Sequence, residues 1–131
     1  MTGSCKQPRI AILDDDASVR TAVGRLLRAA DLLVDQYDSF GAFRKSLDQA
    51  SPDCLLLDLH MPDMDGIDVL NYLDRKNIRL PIIVVSGHDA PKAAELCLSL
   101  GAQSFLSKPV DADDLLSAIE SAMSAFGPPR N

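Results

Sequence analysis

Residues 54–60 read Cys54-Leu55-Leu56-Leu57-Asp58-Leu59-His60. A compact apolar run of this length, ended by a carboxylate, is the pattern of a strand buried on both faces of a sheet. Arg9–Leu13 and Ile82–Val85 repeat that pattern. The first ends in Asp14-Asp15-Asp16 and the second in Ser86-Gly87. Ser104–Ser107 is a shorter run that ends in Lys108-Pro109, and Leu32–Tyr37 is mixed enough to read as an edge strand.

Helix-period segments separate these runs. Val19, Val23, Leu26, Leu27 and Ala30 recur at spacings of three and four. Leu115, Leu116, Ile119, Met123 and Phe126 form a second stripe. Phe40–Leu47, Ile67–Leu73 and Ala93–Leu100 fill the remaining gaps. Asp111 with Asp114 resembles a capping box that uses Asp in place of Glu. Asp89 with Pro91 reads as a helix start, and Gly101 suits a left-handed helix C-cap. Asp16 reads as a helix cap rather than a ligand. Strand and helix alternate five times, which predicts a doubly wound α/β fold with a five-stranded parallel sheet and right-handed crossovers.

The composition bounds the function. At 131 residues, with 47 % hydrophobic residues, the chain is sized for one domain with a real core. A net charge of −6 disfavours direct nucleic-acid binding. No apolar run is long enough to span a bilayer. Met1 to Arg9 is polar, without the apolar segment of a signal peptide, so the expected location is cytoplasmic. Three cysteines without metal spacing fit a reducing compartment. Cys54 and Cys97 lie in apolar patterns and read as packing residues, and Cys5 falls near the terminus.

Ligands of open α/β sheets sit beyond the carboxyl ends of the strands. With the strand order 2-1-3-4-5, the strands ending in Asp14/Asp15, Asp58 and Ser86 are neighbours, with Lys108 beside them. Three carboxylates in one cleft repel each other, and a hard divalent cation relieves that conflict. Oxygen donors without His/Cys spacing suit Mg²⁺ rather than zinc. A carboxylate nucleophile, a hydroxyl, an ammonium and Mg²⁺ together make an inventory for phosphoryl transfer. Asp63, Asp65 and Asp68 imitate part of a calcium loop. Met61 and Tyr72 occupy its first and last ligand positions, so Asp65-Gly66 is better read as a turn into a helix.

These motifs resemble the receiver domains of two-component response regulators. Ile10-Ala-Ile-Leu-Asp14-Asp15-Asp16 is similar to the acidic start. Leu56-Leu-Asp58-Leu-His-Met61-Pro62-Asp-Met64-Asp65-Gly66 is similar to the phosphoacceptor loop. Val84-Val-Ser86-Gly87 and Phe105-Leu-Ser-Lys108-Pro109 are similar to the switch segments. The resemblance covers about residues 7–126 and implies a flavodoxin-like (βα)5 fold. It implies that Asp58 is the phosphoacceptor, and that Asp15, Asp58 and the carbonyl of His60 hold Mg²⁺, with Asp14 acting through a water. Ser86 and Lys108 would bind phosphoryl oxygens, across a Lys108–Pro109 peptide that is often cis in this family. Phe105 stands at the switching aromatic position, and as Phe it would act through ring burial alone. His60 and His88 flank the phosphoryl position and either tune water access or are plain surface residues.

The implied partners are a sensor histidine kinase or phosphotransfer protein, and a second copy in an active homodimer. The motifs look most like FixJ-type receivers, which usually carry a DNA-binding output domain. Residues 127–131 read as a tail or the start of a linker, so the chain is either a stand-alone receiver or one separated from its output domain. Three other functions compete. A haloacid-dehalogenase-type phosphatase would place a second Asp where His60 stands. A phosphorylation-independent interaction module would be expected to lose members of the Asp14, Asp15, Asp58, Ser86, Lys108 set. A flavin carrier would suffer repulsion between these acids and its phosphate.

Overall fold

The computed structural model describes residues 7–61, 64–87 and 91–126, the side chains of Pro91 and Lys92 excepted. Readings that fall on Met1, Cys5, Pro62, Asp63, His88, Asp89 and residues 127–131 lie outside the described residues. Strands and helices alternate as β1 (Arg9–Leu13), α1 (Ala17–Ala29), β2 (Leu33–Tyr37), α2 (Phe40–Leu47), β3 (Cys54–Asp58), α3 (Gly66–Arg75), β4 (Ile82–Ser86), α4 (Pro91–Ser99), β5 (Ser104–Ser107) and α5 (Ala112–Ala125). The strands form one parallel sheet in the order β2-β1-β3-β4-β5.

Alternation along the strands divides the core. Ala11, Leu13, Leu55, Leu57, Ile82 and Val84 pack on one face with Phe43 of α2, Leu70 and Leu73 of α3 and Cys97 of α4. Ile10, Ile12, Leu56, Ile83 and Val85 pack on the other with Leu27 of α1 and Leu115 and Ile119 of α5. β3 and β4 are buried along their whole length, which is why they read as unbroken apolar runs. β2 and β5 form the half-covered edges. Burial pushes the Cys54 thiol up to about 12, so this cysteine is a packing residue. Tyr37 and Tyr72, for which the sequence suggests no role, pack edge-on against Phe43 and Phe40 at centroid distances of 5.6 and 5.0 Å.

The helix ends correct several sequence-based boundaries. Ala30 is exposed and lies past α1, and Phe126 is the exposed C-cap of α5, so neither belongs to its helix stripe. Leu32 is not in β2. Its N–H donates to the Leu27 carbonyl at 3.1 Å, closing α1. Three helices end the same way. Asp31, Asn77 and Gly101 each have positive φ, and the next residue donates back five positions, Ala102 to Cys97 at 3.0 Å for example. Asp111 caps α5 by accepting the Asp114 N–H at 3.2 Å. No return bond from the Asp114 side chain forms among the described residues, since Asp is one methylene shorter than the Glu of a full capping box.

Gly66 fixes the loop that follows β3. Its N–H donates to the Leu59 carbonyl at 2.9 Å. A Cβ there would lie 2.9 Å from Leu59 Cα and 3.0 Å from the Asp58 carbonyl oxygen, both main-chain atoms that cannot swing away. Gly66→Ala is expected to cost about 1–3 kcal/mol, the usual range for overpacking, read by urea unfolding. Gly41→Ala, in α2 with nothing within 4 Å of its would-be Cβ, is the control and is expected to be neutral or stabilising.

Candidate functional site

The strand order gathers four strand ends. Asp14 directly follows β1, Asp58 ends β3, Ser86 ends β4, and Lys108 directly follows β5. β1, β3 and β4 are adjacent, with Leu13 opposite Leu57 and Asp58 opposite Val85. Asp14, Asp15 and Asp58 each offer a carboxylate oxygen, and these oxygens lie within 4.8 Å of one another. Asp14 and Asp58 are 4 % and 5 % exposed, while Asp15 faces solvent.

The two buried acids are held by a defined set of donors. The Asp16 N–H donates to Asp14 Oδ1 at 2.9 Å. Lys108 Nζ donates to Asp14 Oδ2 at 3.0 Å and lies 3.5 Å from Asp58 Oδ1. The His60 main-chain N–H favours the charged form of the Asp58 carboxylate. Ser86 is fully buried, and its carbonyl accepts the Lys108 N–H at 2.8 Å, tying β5 to β4 at the site. The Lys108–Pro109 peptide is cis. His60 is exposed and Phe105 is half-buried, packed against the core face that carries α2, α3 and α4.

Desolvation raises the Asp58 carboxyl above the usual carboxylate range, and the nearby Asp14 charge adds to the rise. Lys108 and the His60 N–H offset only part of it. Burial by itself would lower the Lys108 ammonium. The hydrogen bonds and charges of Asp14 and Asp58 together outweigh that effect and hold it above an ordinary lysine.

Of the sequence-predicted members, Asp14, Asp15, Asp58 and Lys108 meet at the carboxyl ends of the strands, with Ser86 tied to Lys108 through its carbonyl, whereas Phe105 packs against the core face. Asp16 stands apart as the N-cap of α1, accepting the N–H groups of Ser18 and Val19 at 2.9 and 3.3 Å. Asp65 likewise caps α3, accepting the Asp68 N–H at 3.0 Å. A residue the sequence reading missed is Arg20, whose Nη1 donates to the main-chain carbonyl of Asp14 at 2.6 Å. One signal was available: a cation so near the N-terminus of α1 opposes the helix dipole, so it needs another partner. A cavity of about 650 Å³ lined by Leu73, Leu80, Ile82, Gly101 and Phe126 lies at the opposite end of the strands, away from these acids.

The model of the response regulator receiver domain matches residues 10–120. Among curated relatives, the response regulator protein TmoT of Ectopseudomonas mendocina is 40 % identical over 87 % of this chain and 52 % of its own length. The transcriptional regulatory protein FixJ of Bradyrhizobium diazoefficiens is 38 % identical over 87 % and 56 %. Among solved structures, the response regulator StyR superposes with a TM-score of 0.84 at 32 % identity, covering 92 % of this chain and 61 % of that one. The chain belongs to the response regulator receiver domain family. It spans about half the length of the curated relatives it matches.

The raised Asp58 carboxyl has a stability consequence. A group that holds its proton more tightly folded than unfolded favours the fold below its unfolded pKa, and that contribution is lost as pH rises through the folded pKa. The stabilising contribution of its protonated form is therefore reduced at pH 7 in the metal-free chain. Asp58→Asn is expected to raise the thermal midpoint by roughly 2–5 °C at pH 7 in EDTA. The gap is expected to close as pH falls and the wild-type carboxyl takes up its proton. Calorimetric melts across that pH range check both parts.

Proposed function

We propose that Asp58 is the phosphoacceptor of a two-component response regulator, taking its phosphoryl group from a sensor histidine kinase or phosphotransfer protein. The observation that carries this reading is the convergence of three carboxylates within 4.8 Å on an ammonium that bonds two of them. The donor set is all oxygen, which fits Mg²⁺. Asp15, Asp58 and the His60 carbonyl would hold it, and Asp14, which accepts from the Asp16 N–H and from Lys108, would act through a water. When bound, the ion supplies positive charge that offsets the crowded acids and the incoming phosphoryl oxygens.

In the transfer, an Asp58 carboxylate oxygen forms a bond to phosphorus as the donor's P–N bond breaks. The bonding pair leaves with the donor imidazole. Lys108 moves from the acids onto a phosphoryl oxygen, and Ser86 binds another. The product is the modified chain itself, so this is a switch with self-phosphorylation and autodephosphorylation chemistry rather than a turnover enzyme. His60, exposed two residues after Asp58, is placed to tune water access to the phosphoryl group.

The modification adds about −1.5 to −2 charge. Lys108 and Ser86 then make contacts absent from the unmodified chain, and that difference biases a two-state equilibrium. The responding face is α4, β5 and α5, with Phe105 changing its burial. Leu96 and Leu98 of α4, 45 % and 47 % exposed, give that face apolar surface for a second copy. Residues 7–126 form the receiver, which works either as a stand-alone module or as the regulatory part of a longer transcriptional regulator like the relatives it matches, which are about twice its length. A net charge of −6 disfavours nucleic-acid contact by this domain.

Incubation with acetyl phosphate and Mg²⁺, read by intact mass, is expected to add one phosphoryl group to the wild-type chain and none to Asp58→Asn. Lys108→Ala is expected to slow labelling about 10²-fold, the scale for losing one charge-stabilising donor. Retained labelling in Asp58→Asn would overturn the assignment.

A further inference from the structure

Among the three clustered acids, Asp15 stands differently. Asp14 and Asp58 are buried and accept named donors. The Asp15 carboxylate is exposed and takes part in no hydrogen bond or ion pair with any described residue. Its aim into the cluster therefore comes from its backbone alone.

That backbone is held from one side. The carbonyl of Asp14 and the N–H of Asp15 belong to one planar peptide unit, so fixing the carbonyl oxygen fixes the plane from which Asp15 projects. Arg20 Nη1 donates to that oxygen at 2.6 Å, and on the other side the Asp14 N–H donates to the Tyr37 carbonyl at 3.2 Å. Arg20 is itself tied to the acidic turn, because its N–H donates to the Asp16 carbonyl at 3.0 Å. Asp16 in turn caps α1 and donates to Asp14 Oδ1. The turn and the first helical residues close into one hydrogen-bonded unit.

The choice of partner matters chemically. Lys108 bonds carboxylate oxygens that the proposed function needs for a cation and a phosphoryl group, so its contacts must rearrange. Arg20 bonds main chain and leaves every carboxylate oxygen available. Its planar, permanently charged fork loses little freedom per bond formed, which suits a fixed post.

We propose that Arg20 is a positioning residue that aims the Asp15 carboxylate at the divalent cation of the site by pinning the Asp14–Asp15 peptide. The inference rests on the function proposed above only for the identity of the cation. The whole chain is compared with Arg20→Met, which keeps most of the aliphatic stem without a donor, and with Arg20→Lys. Two readings are taken: the Asp15 amide position in metal-free ¹H–¹⁵N spectra, and the Mg²⁺ dissociation constant by calorimetry.

Arg20→Met is expected to displace the Asp15 amide and to weaken Mg²⁺ binding about 10-fold or more, the scale for losing a residue that orients a ligand. Its metal-free melting is expected to stay within a few degrees of wild type, and Arg20→Lys is expected to recover part of the affinity. An unmoved Asp15 amide with wild-type Mg²⁺ affinity in Arg20→Met would overturn the proposal. Should Arg20→Met not fold, Arg20→Lys decides: a displaced amide with severalfold weaker binding supports the role, and wild-type values overturn it. A wild-type chain that binds Mg²⁺ yet takes no label on Asp58 refutes the phosphoacceptor reading and leaves Arg20's role standing. A wild-type chain that binds no Mg²⁺ overturns both.

Discussion

Mutual repulsion among Asp14, Asp15 and Asp58 is the constraint around which the rest of this domain is arranged. At the separations seen here, each pair of like charges would cost on the order of a few kcal/mol in a partly desolvated site. No fold gathers such a cluster without something to hold it. The holding is done by a rigid sheet whose central strands are buried on both faces, by N–H groups from Asp16 and His60, and by the Lys108 ammonium lying between the two buried acids. The metal-free state is thus poised: the acids are compensated well enough to fold and incompletely enough to favour a further cation.

The fold was legible in the sequence because a sheet covered on both faces leaves a simple trace. β1 after Arg9, and β3 and β4 up to their last residue, are apolar, and each run ends abruptly in polar chemistry where the chain leaves the core. Strand order converts those endings into neighbours, so Asp14, Asp58 and Ser86 could be brought together before any coordinates were known. The helices read less well. A periodic stripe reports which side chains are apolar, whereas a helix stops where its last carbonyls find donors. Asp31 and Asn77 end α1 and α3 in left-handed conformations that polar residues other than glycine adopt less readily, and their polarity alone did not mark them. Gly24 lies in the buried face of α1, close to the Gln36 and Arg28 side chains, and a count of large apolar residues passes over it.

The partner of Arg20 was illegible for a related reason, even though the place of Arg20 near the N-terminus of α1 signals that it needs one. That partner is a main-chain carbonyl, and every residue has one, so no complementary residue type in the sequence points to it. Lys108 could be found because it is chemically matched to acids. The site therefore divides into side chains whose roles follow from their own chemistry and side chains whose roles follow from where the backbone happens to pass. Sequence reading recovers the first group and is blind to most of the second.

The position of Lys108 gives the strongest link between this architecture and switching. Asp58 and Ser86 end the two strands that are buried along their full length, so on the proposed reading the acceptor and its hydroxyl partner are the fixed parts. Lys108 follows β5, an edge strand only half covered, whose end pairs Leu106 with Val85 and Ser107 with Ser86 of β4, and its own N–H donates to the Ser86 carbonyl at 2.8 Å. Phe105 lies on the same strand, half-buried rather than locked into the core. A charge appearing on Asp58 pulls on Lys108, and Lys108 is anchored in the least constrained strand of the sheet. On that reading, displacement would go to the partly exposed β5 and not to the buried central strands. An acceptor on an edge strand with its cation on a central one would waste the same electrostatic energy on moving the acceptor. On the proposed reading, the sheet order that assembles the site also places its cation on the strand with room to move.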